Sequence, residues 1–215
     1  MNDYYRIRDH CREGLIRYLN KACSIIPKTE YSLTLDIGCG TGVPTLWFAD
    51  NFPGTITAID TDKDALEFLR KKISDRNLED KVRTLCISIF DFKPGPDHFD
   101  KILAEGSLNV TGFEKGFKRA IGILHNGGYF IIHDEYKDHN QKCAFIEANN
   151  CKIADTLYLD ETIWWDDYYQ QLENEINKIK DPGIRNAFKN DIKEIENYKI
   201  NPSPFRSMFY IVQKL

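Results

Sequence analysis

The residues best equipped for chemistry stand together early in the chain, at Leu35-Asp36-Ile37-Gly38-Cys39-Gly40-Thr41-Gly42. Glycines at every second position let a backbone turn sharply and come close to a bound group. A helix that follows such a turn aims free N–H groups at whatever sits there. In an open α/β sheet that place is the carboxyl end of a strand, where ligands bind. The spacing departs from the Gly-x-Gly-x-x-Gly of a dinucleotide site. The third glycine comes one position early, at Gly42, and Val43 follows it. Asp36 opens the loop, and a carboxylate there repels a diphosphate but attracts an ammonium group. Asp60 follows Gly42 by eighteen residues, close to the roughly 20 expected of an acid that accepts from both ribose hydroxyls.

A ribose, an ammonium group and no phosphate describe S-adenosyl-L-methionine, which also carries a sulfonium. The loop in its strand–loop–helix–strand–acid setting resembles motif I of the class I S-adenosylmethionine-dependent methyltransferases, over roughly residues 30–160 and the last strand. Phe99-Asp100, the Glu105-Gly106 turn and Asn126-Gly127-Gly128 also fit, and Ala104 to Glu114 is similar to a small-molecule subgroup close to the type 11 family. The resemblance implies that Asp36 and the backbone of Gly38, Gly40 and Gly42 hold the methionine end. It implies that Asp60 holds the ribose and that Thr61 flanks the adenine. Cys39 lies in the same loop, where a small filler is a plainer role than a nucleophile. The family often has an acid after the third strand to receive the adenine amino group; here Ser88 stands there, followed by Ile89. A serine hydroxyl can accept the same bond, and Asp91 is a nearby substitute.

Methyl transfer is an in-line displacement at an already activated carbon, so a protein mainly supplies proximity and a dry site. An oxygen or nitrogen acceptor can also need a base. Glu105, directly after the fourth strand, and His133, at the end of the fifth, are the candidates to orient the acceptor or take its proton. Asn109 and Tyr136 follow the same two strands as candidate pocket residues. The run Ile163-Trp164-Trp165-Asp166-Asp167-Tyr168-Tyr169 is the most unusual composition in the chain. At helical spacing Trp165, Tyr168 and Tyr169 occupy neighbouring faces. They can serve as core, or as a lid in which Trp164, Trp165 and Tyr168 wall the acceptor and exclude water.

These residues need a scaffold. Residues 4–26 read as an amphipathic helix ended by Pro27. Strands are expected at 33–37, 55–59, 82–87, 99–104, 129–133, 152–159 and 205–212, with helices between them. Thr111-Gly112-Phe113-Glu114 reads as a capping box, opening a helix that stops at Asn126-Gly127-Gly128. Pro94-Gly95-Pro96-Asp97 is a turn. Residues 161–200 read as two helices, broken at Asp181-Pro182-Gly183 and inserted before the last strand. The expected fold is α/β: a Rossmann-like, seven-stranded, mostly parallel sheet with helices on both faces, an N-terminal helix and a helical insert. At 215 residues this makes one domain.

Composition narrows the partners. The net charge of −4 and the absence of a basic cluster argue against nucleic acid. No apolar run approaches the ~20 residues of a membrane span, and the start lacks an apolar secretion core. The six cysteines form no Cys-x-x-Cys pair, so no metal site is expected, and a reducing cytoplasm is the expected location. A small-molecule acceptor is the expected partner; oligomeric state is not readable. The rivals are a non-catalytic S-adenosylmethionine-binding protein and a nicotinamide-dependent oxidoreductase, the latter opposed by Asp36 and the early third glycine.

Overall fold

A computed structural model describes residues 2–95 and 99–215, with the side chain of Asn2 left out. Seven strands form one sheet: β1 (Leu33–Ile37), β2 (Thr55–Asp60), β3 (Val82–Cys86), β4 (Phe99–Glu105), β5 (Leu124–Glu135), β6 (Cys151–Leu159) and β7 (Ser207–Lys214). Their order is β3-β2-β1-β4-β5-β7-β6. The pairings from β3 across to β5 are parallel, and β7 runs antiparallel to both β5 and β6. The order reverses between β1 and β4, and that switch point opens a crevice at the carboxyl ends of the strands. The mostly parallel, doubly covered sheet expected from the sequence is the fold observed.

The central strands are apolar on both faces because helices cover both. The first helices are α1 (Asn2–Arg12), α2 (Ile16–Ala22), α3 (Val43–Asn51) and α4 (Lys63–Asp75). On one face Leu19, Phe48, Leu66 and Leu69, from α2, α3 and α4, pack on Leu103 and Ile131. Leu66 and Leu69 are fully buried, each stabilising the fold by about 1.5–3 kcal/mol. On the other face lie α5 (Leu108–Thr111), α6 (Phe113–Ile121) and α7 (His139–Glu147). There Leu108, Phe117 and Ile146 pack on Ile102, Phe130 and Ile132.

A third apolar cluster stands apart from the sheet. Its helices are α8 (Glu161–Trp164), a π turn (Trp165–Tyr169) continuing into α9 (Gln170–Lys178), α10 (Pro182–Ala187) and α11 (Lys189–Ile200). The two halves run past each other in opposite directions: Trp165 stacks on Tyr198, Tyr169 bonds Glu194, and Arg185 donates to the Ile176 carbonyl. Cys11 and Leu15 of the N-terminal segment join Tyr169, Leu172, Phe188 and Ile195 in one core. The placement follows from register. Leu159, ending β6, and Glu135, ending β5, both pair with Ser207, which starts β7. The segment between β6 and β7 therefore leaves and returns at the carboxyl edge of the sheet, over the crevice.

Local differences from the sequence reading have physical causes. The N-terminal helix is interrupted by a 3-10 turn at Glu13–Leu15. A Cβ on Gly14 would lie 2.3 Å from the Asp167 carbonyl oxygen, so this turn is pressed against the π turn. No capping box forms: Thr111 closes α5, its hydroxyl donates back to the Ser107 carbonyl at 3.1 Å, and Gly112 (φ 85°) starts α6 without a side-chain cap. Helix α6 ends at Ile121, ahead of Asn126-Gly127-Gly128, which belong to β5. There the register with β4 jumps from Phe99↔Leu124 to Lys101↔Tyr129. Gly127 turns with φ 79°, and a Cβ on Gly128 would meet the Asp100 carbonyl oxygen at 2.9 Å. Of the Pro94-Gly95-Pro96-Asp97 turn, Pro96 and Asp97 lie outside the described residues.

Candidate functional site

The loop after β1 is tied down from beneath. The N–H groups of Gly38 and Cys39 both donate to the Ile59 carbonyl of β2, at 2.9 and 3.1 Å. Asp60, ending β2, accepts from Gly40 N at 2.7 Å through one oxygen and from Asp62 N at 2.8 Å through the other. Gly38, Gly40 and Gly42 all have positive φ, but for different spatial reasons. A Cβ on Gly38 would strike Ser107 at 2.6 Å, and one on Gly42 would strike Leu69 at 2.3 Å. At Gly40 no protein atom lies within 4 Å of the added Cβ, so the surface there is a cradle that a side chain would fill. Cys39 is buried; burial pushes its thiol up, which suits a filler.

Asp36 is buried and accepts from the Thr45 hydroxyl at 2.5 Å. Burial pushes its carboxyl up to about 7, with the Thr45 bond opposing and the charges of Glu105 and Asp60 adding to the rise. A buried acid poised near neutrality takes its charge readily when a cation arrives.

Three cavities meet along the crevice. One of about 220 Å³ lies between Asp60, Thr61, Ser88 and Ile89 on one side and Gly106 and Ser107 on the other. A small one of about 40 Å³ joins Asp36, Gly40, Arg12 and Glu105. A third, of about 260 Å³, holds Glu105, Asn109, His133 and Trp164. Gly38 lines the first two, Arg12 and Glu105 the last two, and Gly106 the first and third. Thr61 is exposed at the mouth, Ile89 is a buried wall, and the Ser88 hydroxyl accepts from Phe90 N at 3.2 Å. Asp91 is exposed and lines none of the three. A larger cavity of about 710 Å³ lies at the amino edge of the sheet, around Thr55, Val82 and Phe99, away from the glycine loop. Among the described residues no cluster of His, Cys, Asp or Glu could hold a metal ion, and no helix is long and apolar enough to cross a membrane.

The third cavity is a chamber with an ordered polar floor. Glu105 and His133 are register partners on adjacent strands. Arg12 Nη2 donates to Glu105 Oε1 at 3.4 Å, and His133 Nδ1 lies 3.9 Å from that same oxygen. Burial pushes the Glu105 carboxyl up, but His133 and Arg12 outweigh it and hold the group below its ordinary value. Glu105 Oε2 is buried with no hydrogen-bond partner among the described residues. His133 Nε2 lies 2.9 Å from the Ser207 hydroxyl, and that hydroxyl accepts from Trp164 Nε1 at 3.2 Å. The imidazole lies nearly parallel to Phe209 (centroids 4.1 Å apart) and to Trp164 (5.9 Å).

The roof comes from both ends of the sequence. Asp9 of α1 accepts from the Thr41 hydroxyl of the glycine loop and from Lys72 of α4. Arg8 pairs with Asp191 at 3.0 Å, and Asp167 accepts from Tyr18 at 2.6 Å and from Arg17. Of the aromatics singled out in the sequence, Trp164 faces the chamber. Tyr168 is buried in the roof beside Arg8, Trp165 stacks on Tyr198, and Tyr136 stacks on His139; none of the three lines the chamber. Tyr169, read with that run as core or lid, also lines it, and Arg12, Glu194, Phe205 and Ser207 line it and escaped the sequence reading. The only signal of these four was position: Ser207, for example, opens the last strand.

Residues 34–128 match a family model described as a methyltransferase domain. Among curated proteins, Methyltransferase GfsG of Streptomyces halstedii is 28% identical over 101 residues, 46% of this chain and 36% of that protein. Ribosomal RNA small subunit methyltransferase G of Alkalilimnicola ehrlichii is 29% identical over 117 residues, 54% of this chain and 51% of that one. The chain thus spans about a third to a half of these relatives. Among solved structures, the mycolic acid cyclopropane synthase CmaA1, complexed with SAH and CTAB, superposes with a TM-score of 0.77 at 13% identity, over 100% of this chain and 94% of that one. Residues 34–128 are thus similar to a methyltransferase domain, and the whole chain shares the fold of the solved structure.

Proposed function

We propose that this chain, whose residues 34–128 match a methyltransferase-domain model, is a class I methyltransferase that binds S-adenosylmethionine along the crevice and methylates a small molecule held in the Glu105–His133 chamber. The observation that carries the reading is the meeting of three cavities at Glu105, Gly106 and Gly38. It puts a space of about 220 Å³, a small niche beside Asp36 and Gly40, and a chamber of about 260 Å³ around one junction. The donor set suits the cofactor: the Gly40 cradle accepts a close ligand, Asp36 offers a carboxylate to an ammonium, and Asp60 has lone pairs left for ribose hydroxyls. Ser88 stands where an adenine amino group needs an acceptor, with Ile89 and Thr61 beside the ring. When bound, S-adenosylmethionine supplies a methyl group activated on a cationic sulfur.

The chain's own residues then have separate tasks. Glu105 orients the acceptor at the junction. His133, steadied by Ser207 and by the stacked rings, takes a proton from it. Trp164 and the roof exclude water. We take the chain as one domain of the cytoplasm that needs neither metal nor membrane. An RNA acceptor is the second reading, favoured by the ribosomal RNA methyltransferase among the relatives. The net charge of −4 opposes it, as does an acceptor chamber of only about 260 Å³. Calorimetry with S-adenosylhomocysteine tests the central reading: micromolar binding is expected without added metal, and no heat and no thermal shift would sink it. Tight, salt-sensitive RNA binding would move the acceptor to the second reading.

A further inference from the structure

The polar lining of the chamber is lopsided. Glu105, Asp134, Glu135 and Glu194 bring four carboxylates, against the two guanidinium groups of Arg12 and Arg206. Glu105 Oε2 and Asp134 Oδ1 are buried and lack a hydrogen-bond partner among the described residues. The nearby cations are already engaged. Arg12 holds the other Glu105 oxygen, and Lys142 holds the other Asp134 oxygen at 2.8 Å. Arg206 lies over the Tyr136 ring and donates to the Ser203 carbonyl. Glu194 is met by the Tyr169 hydroxyl.

A buried carboxylate oxygen without a donor is costly, and a ligand bringing N–H groups removes that cost. The walls favour the same ligand. Trp164, Tyr169 and Phe205 line the chamber, and aromatic faces attract cations. An anionic acceptor would meet the carboxylates with like charge, and a neutral hydroxyl could donate to Glu105 Oε2 but would lack the charge that the carboxylates and ring faces attract.

We propose that the acceptor is a small cationic amine, held by the free oxygen of Glu105 and by the aromatic walls, and methylated on nitrogen. This deepens the methyltransferase reading above and rests on it. The ammonium first gives one proton to the His133 imidazole, whose charge the adjacent Glu105 carboxylate balances. The freed nitrogen lone pair forms the bond to the methyl carbon, and the pair of the broken carbon–sulfur bond stays on sulfur as a neutral thioether. The product is an N-methylammonium, which the same carboxylate and rings can hold. His133 returns its proton to water.

The test uses the full chain saturated with S-adenosylhomocysteine and three probes of one ring and similar size: benzylammonium, benzyl alcohol and benzoate. Binding is read by tryptophan fluorescence and by line broadening of the probe. Benzylammonium should bind about tenfold more tightly than the other two, the worth of one charge-assisted contact. Glu105→Gln should cut that preference to about threefold or less, and Glu194→Gln serves if the first variant does not fold. Equal or tighter binding of the alcohol or benzoate overturns the proposal. So does an unchanged preference in Glu105→Gln, or no saturable binding of any probe. Failure of S-adenosylhomocysteine itself to bind is a separate outcome, and it overturns the underlying methyltransferase reading instead.

Discussion

Arg12 and Glu105, 93 residues apart in the chain, meet at 3.4 Å where the crevice and the chamber join. The contact fastens the N-terminal segment to the end of β4. Arg12→Ala leaves the Glu105 carboxylate buried with only His133 beside it. Removing one partner of a buried pair is strongly destabilising, but the Arg12 side chain is 32% exposed, so a loss of about 1–2 kcal/mol is expected in urea unfolding. Because Glu105 titrates below its ordinary value in the fold, its contribution is present above about pH 4.3 and lost as pH falls through the folded value. Arg12→Ala should shrink that acid dependence; an unchanged acid limb would show that Arg12 does not hold Glu105 in its charged form.

The Asp36 carboxyl gives the opposite sign. Its folded value is raised to about 7, so the fold binds this proton more tightly than the unfolded chain does. Stability from this group is complete below about pH 3.9 and declines as pH rises toward 7. Cofactor binding should run the other way, because an ammonium favours the ionised carboxylate. Affinity for S-adenosylhomocysteine should rise up to about pH 7 and fall again near 8, where an α-amino group loses its charge. Calorimetry in two buffers of different ionisation enthalpy should detect proton release at pH 6.5. Asp36→Asn should abolish it; release that survives in Asp36→Asn would remove Asp36 from the methionine end.

The loop glycines should separate fold from binding. Gly40→Ala places a Cβ where the protein has no atom within 4 Å, so only the left-handed backbone strain, about 1–2 kcal/mol, weighs on stability. Cofactor affinity should fall at least about tenfold, the worth of a lost close contact of some 1.4 kcal/mol. Gly42→Ala drives into Leu69 and should cost about 1–3 kcal/mol more from overpacking. Paired thermal and binding curves give the comparison. Normal cofactor binding by a folded Gly40→Ala would mean the cradle is not the ligand's path.

Trp164 closes the chamber over His133 and donates to Ser207. Trp164→Ala should lower turnover about tenfold or more while leaving cofactor affinity within about twofold, since preorganisation of the acceptor site is what it removes. Trp164→Phe keeps a ring near His133 and should recover part of the rate. Equal loss of cofactor affinity and turnover would make the residue structural.

How much of this was legible follows from the kind of signal each part carries. The β1 loop is local: glycine spacing, Asp36 and Asp60 lie within 25 residues, and their roles follow from strand–turn–helix geometry. The chamber is not local. Glu105 and His133 could be suggested because each ends a strand, but their pairing depends on β4 and β5 being neighbours. Arg12 carries no pattern of its own; its importance appears once α1 lies across the carboxyl edge. Trp164, Trp165 and Tyr168 looked alike in sequence. The π turn at Trp165–Tyr169 changes the angular step of the helix, so helical spacing alone could not say which rings face inward. The misjudged helix stop at Asn126-Gly127-Gly128 has a similar origin, since glycines serve a strand bulge as readily as a helix end.

Strand β7 comes late in the sequence yet occupies an interior place in the sheet, between β5 and β6. During translation the glycine loop, Asp60 and Glu105 are made first, while β5 still presents an open, apolar edge. Ser207 and the roof helices of residues 161–200 follow later. A growing chain can thus acquire a place for the methyl donor well before it has anything to methylate. Until β7 clears the ribosome, the exposed side of β5 invites pairing with other chains. That interval closes at the same moment that the acceptor chamber gains its floor.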